Sequence, residues 1–245
     1  MSGHSKWSTI KHKKAKEDAF VHESTVDDNI FADPEYVKIL DSLINEDQNY
    51  YNIYRLGLWG VLRGLIYTKF QIILDKQWPE SVDETIYGLD FGYNNPSALV
   101  EINIKDSEFY LKEMLYESKL TNNDLIKKLE RFIPNKRNML YADSAEPARI
   151  DEIKRAGFNV YPSNKSVMDG IDFCKRKTLH IHEDSTNIDK ELRAYKWKED
   201  KNGNTLDEPV KFNDHSLDAI RYAIFTHCGK PKRVKEFGGS SEARN

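Results

Sequence analysis

Asp90 closes the apolar run Ile86-Tyr87-Gly88-Leu89, and Asp143 closes Met139-Leu140-Tyr141-Ala142. Both runs have the length and residue types of short strands. An ionised carboxylate at the end of such a strand needs a cation, a hydrogen-bond donor or a metal beside it. The turn chemistry of Gly92-Tyr93-Asn94-Asn95-Pro96 places Asp90 at a strand mouth. Asp143 could equally cap the helix that comes after it. A third signal lies in Asp214-His215-Ser216-Leu217-Asp218-Ala219-Ile220-Arg221-Tyr222. On a helix, Asp214 and Asp218 share one face, and His215 neighbours Asp218. Leu217, Ile220, Ala223 and Ile224 form the opposite, apolar face. Macrodipole pairing at a helix start explains Asp214 well and Asp218 poorly.

Three carboxylates and an imidazole are hard oxygen and nitrogen donors, which suit Mg²⁺ or Mn²⁺. Two such ions about 3.5–4 Å apart activate water and stabilise a leaving oxygen in phosphodiester cleavage. That chemistry needs several acids and no covalent nucleophile. The chain has no GxSxG elbow and no reactive-cysteine setting.

These residues must be positioned by a mixed sheet. Thr85–Phe91, Ser97–Ile104 and Phe109–Tyr116 read as strands, with Lys105-Asp106-Ser107 as a hairpin connection. Helices and strands then alternate. The expected helices are 122–132, 146–156, 167–175, 188–195 and 214–227, and the strands 139–142, 158–161 and 178–181. Three strands and then alternation imply an α/β fold, antiparallel on one side and parallel on the other. Residues 30–74 read as helical, beginning with an Asp33-Pro34 start signal. The aromatics of Tyr50–Trp59 read as core rather than as a base-stacking surface.

The 245 residues carry a formal net charge of −3, with 39% hydrophobic and 31% charged residues. Any DNA-binding function must therefore concentrate its lysines and arginines on one face. Cys174 and Cys228 lie far apart, which fits a reducing compartment and argues against a thiolate zinc site. No apolar run approaches the roughly 20 residues of a membrane span, so no membrane partner is expected.

Gly88-Leu89-Asp90-Phe91-Gly92-Tyr93, Asp143-Ser144-Ala145-Glu146-Pro147 and the Asp214–Tyr222 segment together resemble the nuclease domain of phage terminase large subunits. The likeness runs from about Val21 to His227. It implies a ribonuclease H-like sheet flanked by helices, with the acids on the first strand, at the end of the fourth and on the last helix. Carried across, Asp90, Asp143 and Asp218 are catalytic metal ligands and His215 joins them. Ser163-Asn164-Lys165-Ser166 resembles a basic loop near that site, which makes Lys165 a phosphate contact on DNA. The implied activity is a two-metal-ion endonuclease that cuts concatemeric viral DNA during packaging, in the host cytoplasm. The implied partners are double-stranded DNA, a terminase small subunit and a portal protein. The alternatives are a catalytically inactive assembly module and another ribonuclease H-like nuclease such as a junction resolvase.

The resemblance also implies an organisation. Residues 81–228 are the nuclease domain and 229–245 a tail. Residues 21–80 resemble the end of the packaging ATPase and its linker, and the rest of that ATPase is expected to be absent, since no GxxxxGK[ST] loop occurs. Residues 1–20 form a basic arm or foreign leader, whose first 19 residues resemble the start of a YebC-type regulator. Five lysines against Glu17 and Asp18, with few apolar residues, make this arm dispensable on paper. Deleting it is expected to leave the melting temperature unchanged in a thermal scan; a large loss would show that the arm packs into the fold.

Overall fold

The structure, a computed structural model, describes residues 24–46, 50–57, 64–200 and 204–229. The basic arm, its resemblance and the tail beyond residue 229 lie outside these. The chain forms two compact units, Met1–Leu62 and Arg63–Asn245.

In the first unit, helix α1 (Pro34–Glu46) starts where Asp33 accepts a hydrogen bond from the Glu35 amide at 2.9 Å. Leu40, Leu43 and Tyr50 are buried. Arg55 bonds Asp27 at 2.7 Å and Asp41 at 2.5 Å, tying the segment before α1 to the turn after it.

The second unit is built on a seven-stranded mixed sheet: β1 (Phe70–Ile73), β2 (Glu84–Asp90), β3 (Ser97–Lys105), β4 (Glu108–Glu117), β5 (Leu140–Ala142), β6 (Val160–Pro162) and β7 (Leu179–His182). The spatial order is β1-β7-β4-β3-β2-β5-β6. The β2–β3 and β3–β4 pairs are antiparallel, and the other four pairs are parallel. Asp106 and Ser107, both at positive φ, make the tight turn between β3 and β4. A separate ribbon pairs β8 (Trp197–Glu199) with β9 (Thr205–Pro209).

Helices cover both faces. Helices α2 (Asn122–Phe132) and α3 (Pro147–Arg155) pack on the side of Tyr87, Leu89 and Leu99. Helices α4 (Val167–Cys174), α5 (Thr186–Ala194) and α6 (His215–Cys228) pack on the side of Ile86, Val100 and Leu111. Alternation along β2 thus sends Ile86, Gly88 and Asp90 toward α6. A bulge in β4, where Leu99 pairs with Leu115 but Val100 pairs with Glu113, inserts Met114 and switches the face of the residues beyond it. Leu115 joins the α2–α3 side, and Tyr116 turns toward α6.

The helical reading of residues 30–74 fails at its end. Phe70–Ile73 is a strand paired in parallel with β7. A short apolar run does not distinguish helix from strand by spacing; the free edge of β7 decided it. Among the described residues, no helix is long and apolar enough to cross a membrane.

Helix α6 crosses β2 at one contact that sets its distance from the sheet. A Cβ on Gly88 would lie 2.0 Å from the Ala219 carbonyl oxygen and 2.6 Å from its carbon. Backbone meets backbone there, and no rotamer change relieves the clash. Gly88→Ala is expected to cost at least about 3 kcal/mol, or roughly 6–12 °C in melting temperature. A loss below about 1 kcal/mol in denaturant unfolding would show that α6 is not seated this closely.

Candidate active site

Asp90 is the last residue of β2, and Asp143 comes just after the end of β5, where its amide still bonds the Leu89 carbonyl at 3.1 Å. The two strands are parallel neighbours, so both acids stand at the carboxyl edge of the sheet. Open α/β sheets place ligand sites along that edge. The N-terminus of α6 reaches the same edge and adds Asp214, His215 and Asp218. All five residues, with Lys165 and Arg221, line one cavity.

Each expected acid meets a protein cation or imidazole. The His215 Nδ1 lies 3.1 Å from Asp90 Oδ2. Lys165 Nζ lies 3.2 Å from Asp143 Oδ1 and remains half exposed. Arg221 Nη2 donates to Asp218 Oδ1 at 2.7 Å, and the Tyr222 hydroxyl donates to Asp218 Oδ2 at 3.3 Å. Asp143 does not cap α3. Its Oδ1 accepts from the Ala145 amide at 2.9 Å, a local turn ahead of the helix.

Burial and crowding disturb these groups. Burial pushes the Asp90 carboxyl up to about 6; the His215 hydrogen bond opposes this and Asp218 and Asp143 add to it. Burial and the Asp218 charge push Asp214 up to about 7. For His215, burial favours the neutral ring, but the Asp90 bond and the surrounding carboxylates outweigh it and raise its pKa.

Two glutamates place the helix that carries half of the site. Glu113, on β4, accepts from the Asn187 and Ile188 amides at 3.0 and 3.1 Å, at the start of α5. Glu191, on α5, accepts in turn from the Leu217 amide at 3.0 Å, at the start of α6. Each carboxylate satisfies amides that the first turn of a helix leaves without internal partners. Tyr116, re-aimed by the β4 bulge, sets its ring edge-on to His215 at 6.2 Å between centroids. Neither glutamate stood out in the sequence, because each works through an element remote in the chain. Arg221 could have been found, three residues after Asp218 on one helix.

Among the described residues, no three carboxylate, imidazole or thiolate groups form a ready-made ion cage. The acids are turned toward their cations instead. The donor set nevertheless fits hard divalent ions: four carboxylates and one imidazole face a common cavity, and burial disfavours the charge of two of those acids.

Comparison with known proteins supplies the context. The family described as "Terminase RNAseH like domain" matches residues 90–225, more than half of the chain. The PBSX phage terminase large subunit of Bacillus subtilis (strain 168) is 28% identical over 226 residues, covering 87% of this chain and 52% of that protein. This chain therefore spans about half the length of that curated relative. The nuclease domain of g2p, the large terminase of bacteriophage SPP1, solved with bound Mn, has a TM-score of 0.57 at 24% identity. That match covers 64% of this chain and 96% of the SPP1 domain. The large terminase of a thermophilic bacteriophage, in complex with ATP-gamma-S, has a TM-score of 0.56 at 23% identity, covering 88% of this chain and 58% of that one. These two likenesses speak to the fold, a ribonuclease H-like sheet.

The raised pKa values predict a pH dependence. Asp90, Asp214 and His215 all hold their protons more tightly in this fold than in an unfolded chain. Their contribution to stability is present at low pH and is lost as pH rises through the folded values. In EDTA, the melting temperature is expected to fall between about pH 4 and pH 7, with Asp90 alone accounting for about 3 kcal/mol. Asp90→Asn should flatten that fall, as read by thermal scans in matched buffers. A wild-type curve that rises over this range would contradict the assignment.

Proposed function

The chain belongs to the family of terminase RNase H-like domains, and from that membership we propose that it is a metal-dependent DNA endonuclease that cuts concatemeric phage DNA during packaging. One observation carries this reading. Asp90, Asp143 and Asp218 come from a strand end, a second strand end and the last helix, yet they line a single cavity with His215. Nothing in sheet packing requires three carboxylates there, and their crowding is unfavourable without cations.

In this reading Asp90, Asp143, His215 and Asp218 would hold two Mg²⁺ or Mn²⁺ ions. The Mn bound to the SPP1 nuclease domain is in keeping with that choice. When bound, the ions supply an activated water and neutralise charge on the leaving oxygen. The protein's own residues do the rest. Asp90 is 8% exposed and its backbone is paired with Ala98 of β3 at the end of β2, which makes it a fixed reference for the site. His215 would have to be neutral to hold an ion, so binding of an ion would compete with protonation of its ring. Lys165, whose Asp143 contact is half exposed, exchanges that partner for a phosphate oxygen of double-stranded DNA.

The organisation proposed with this function is a nuclease domain that extends the expected 81–228 back to include β1 (Phe70–Ile73), preceded by a connection that corresponds to the end of a packaging ATPase and its linker. The relative of about twice this length makes such a larger assembly reasonable. In that setting the partners are a terminase small subunit and a portal protein.

Plasmid nicking with Mn²⁺ tests the reading. Asp90→Asn is expected to lower the rate by at least about 10³-fold, because it removes a ligand held in fixed geometry. His215→Ala should raise the Mn²⁺ midpoint of cleavage, with a smaller loss, since a neutral ligand contributes less Coulombic attraction. Wild-type rates for Asp90→Asn, in a preparation free of contaminating nuclease, would sink the proposal. An unchanged Mn²⁺ midpoint would remove His215 from the ligand set.

A further inference from the structure

Arg221 is a charged side chain of the site that is buried almost completely. Its side chain is 3% exposed, whereas that of its partner Asp218 is 25% exposed. The guanidinium is therefore the deeper of the two groups, and Asp218 is the more open toward the cavity that both line. Arg221 Nη2 bonds Asp218, and the guanidinium lies 4.7 Å from the centroid of the Tyr222 ring. Its Nε and Nη1 are buried and have no hydrogen-bond partner among the described residues.

That is a costly arrangement. A buried guanidinium with unused donors loses solvation that one ion pair does not repay, and apolar side chains of similar volume usually serve stability as well or better. The neighbouring helix is nevertheless shaped to admit it. A Cβ on Gly170 in α4 would lie 2.8 Å from both Cγ and Cδ of Arg221. The arginine stem runs through space that only a glycine leaves open. Lys165, by contrast, is half exposed and carries a flexible stem, and His215 is needed neutral when an ion binds.

We infer that Arg221 is a positioning residue: a permanent counter-cation that aims Asp218 into the cavity and offsets the repulsion among Asp90, Asp143, Asp214 and Asp218 before any divalent ion arrives. The carboxylates are thereby held near their working places, and the ions meet a site that is already assembled. The inference rests on the proposed metal-binding role of Asp218 for its purpose, but not for the pairing itself.

A double-mutant cycle read by thermal unfolding separates these parts. In EDTA, Arg221→Gln is expected to lower the melting temperature by on the order of 8 °C, because it strands a carboxylate among like charges. Adding Asp218→Asn should recover at least half of that loss, since the stranded charge is then gone. Saturating Mn²⁺ should recover most of the loss in the single variant, with the ions supplying the missing charge. Losses that add in the cycle would show that Arg221 only packs α6 against α4, and would overturn the inference. Failure of Mn²⁺ to raise even the wild-type melting temperature would instead count against the metal site, while the cycle in EDTA still decides the pairing. Should Arg221→Gln not accumulate, Arg221→Lys enters the same cycle; it keeps the charge and loses the planar fork. It should lose a few degrees that Asp218→Asn restores, and a loss untouched by Asp218→Asn overturns the inference.

Discussion

The contact between Gly88 and Ala219 is the constraint on which the site depends. Helix α6 approaches β2 so closely that a single methyl group would collide with its backbone. Asp90 stands two residues beyond Gly88 on the same face of the strand. His215 and Asp218 stand within the turn of helix that precedes Ala219. One close approach therefore fixes three of the side chains relative to one another. The sheet supplies the fourth, because β5 runs parallel to β2 and ends beside it at Asp143.

A close-packed helix also needs its height along the strand defined, and the two glutamates serve that purpose. Glu113 holds the start of α5 against β4, and Glu191 on α5 holds the start of α6. Both make long-range bonds to backbone amides, and the Asn187 side chain adds a donor to Glu113 at 2.7 Å. Burial raises the Glu191 pKa well above the ordinary carboxylate range, a cost that its backbone bonds only partly offset. The β4 bulge adds a further contact to the site by presenting Tyr116 to His215.

The electrostatics vary with depth. Lys165 is half exposed beside Asp143, His215 is mostly buried against Asp90, and Arg221 is almost fully buried under Asp218. The outermost cation is the most easily exchanged for a ligand, and the innermost is held by the packing of α4 around its stem. Asp90, Asp143 and Asp218 are tolerated together because each meets a cation, imidazole or donor at a different depth. On the proposed DNA-cutting reading, a protein of net charge −3 presents such a site to a polyanion by this kind of local arrangement.

Much of this was legible in the chain by itself. Short runs rich in Val, Ile, Leu and Tyr marked β2, β3 and β4, and the expected helix over 122–132 has the observed bounds. Acids at the ends of apolar runs, and the i, i+4 spacing of Asp214 and Asp218, singled out the residues that now line the cavity. These are local signals, carried by backbone periodicity and side-chain chemistry within a few residues. Edge strand β1 was not legible, because Phe70–Ile73 becomes a strand only by pairing with β7, more than a hundred residues away. Glu113, Glu191 and the burial of Arg221 were not legible for the same reason. A glutamate that holds a remote helix has the sequence of any surface glutamate. Gly170 declares its purpose only when the stem of Arg221 lies against it. Residue type and spacing determined which groups were available for chemistry; the approach of α6 to the sheet decided which of them meet, because depth, countercharge and distance exist only once the layers are packed.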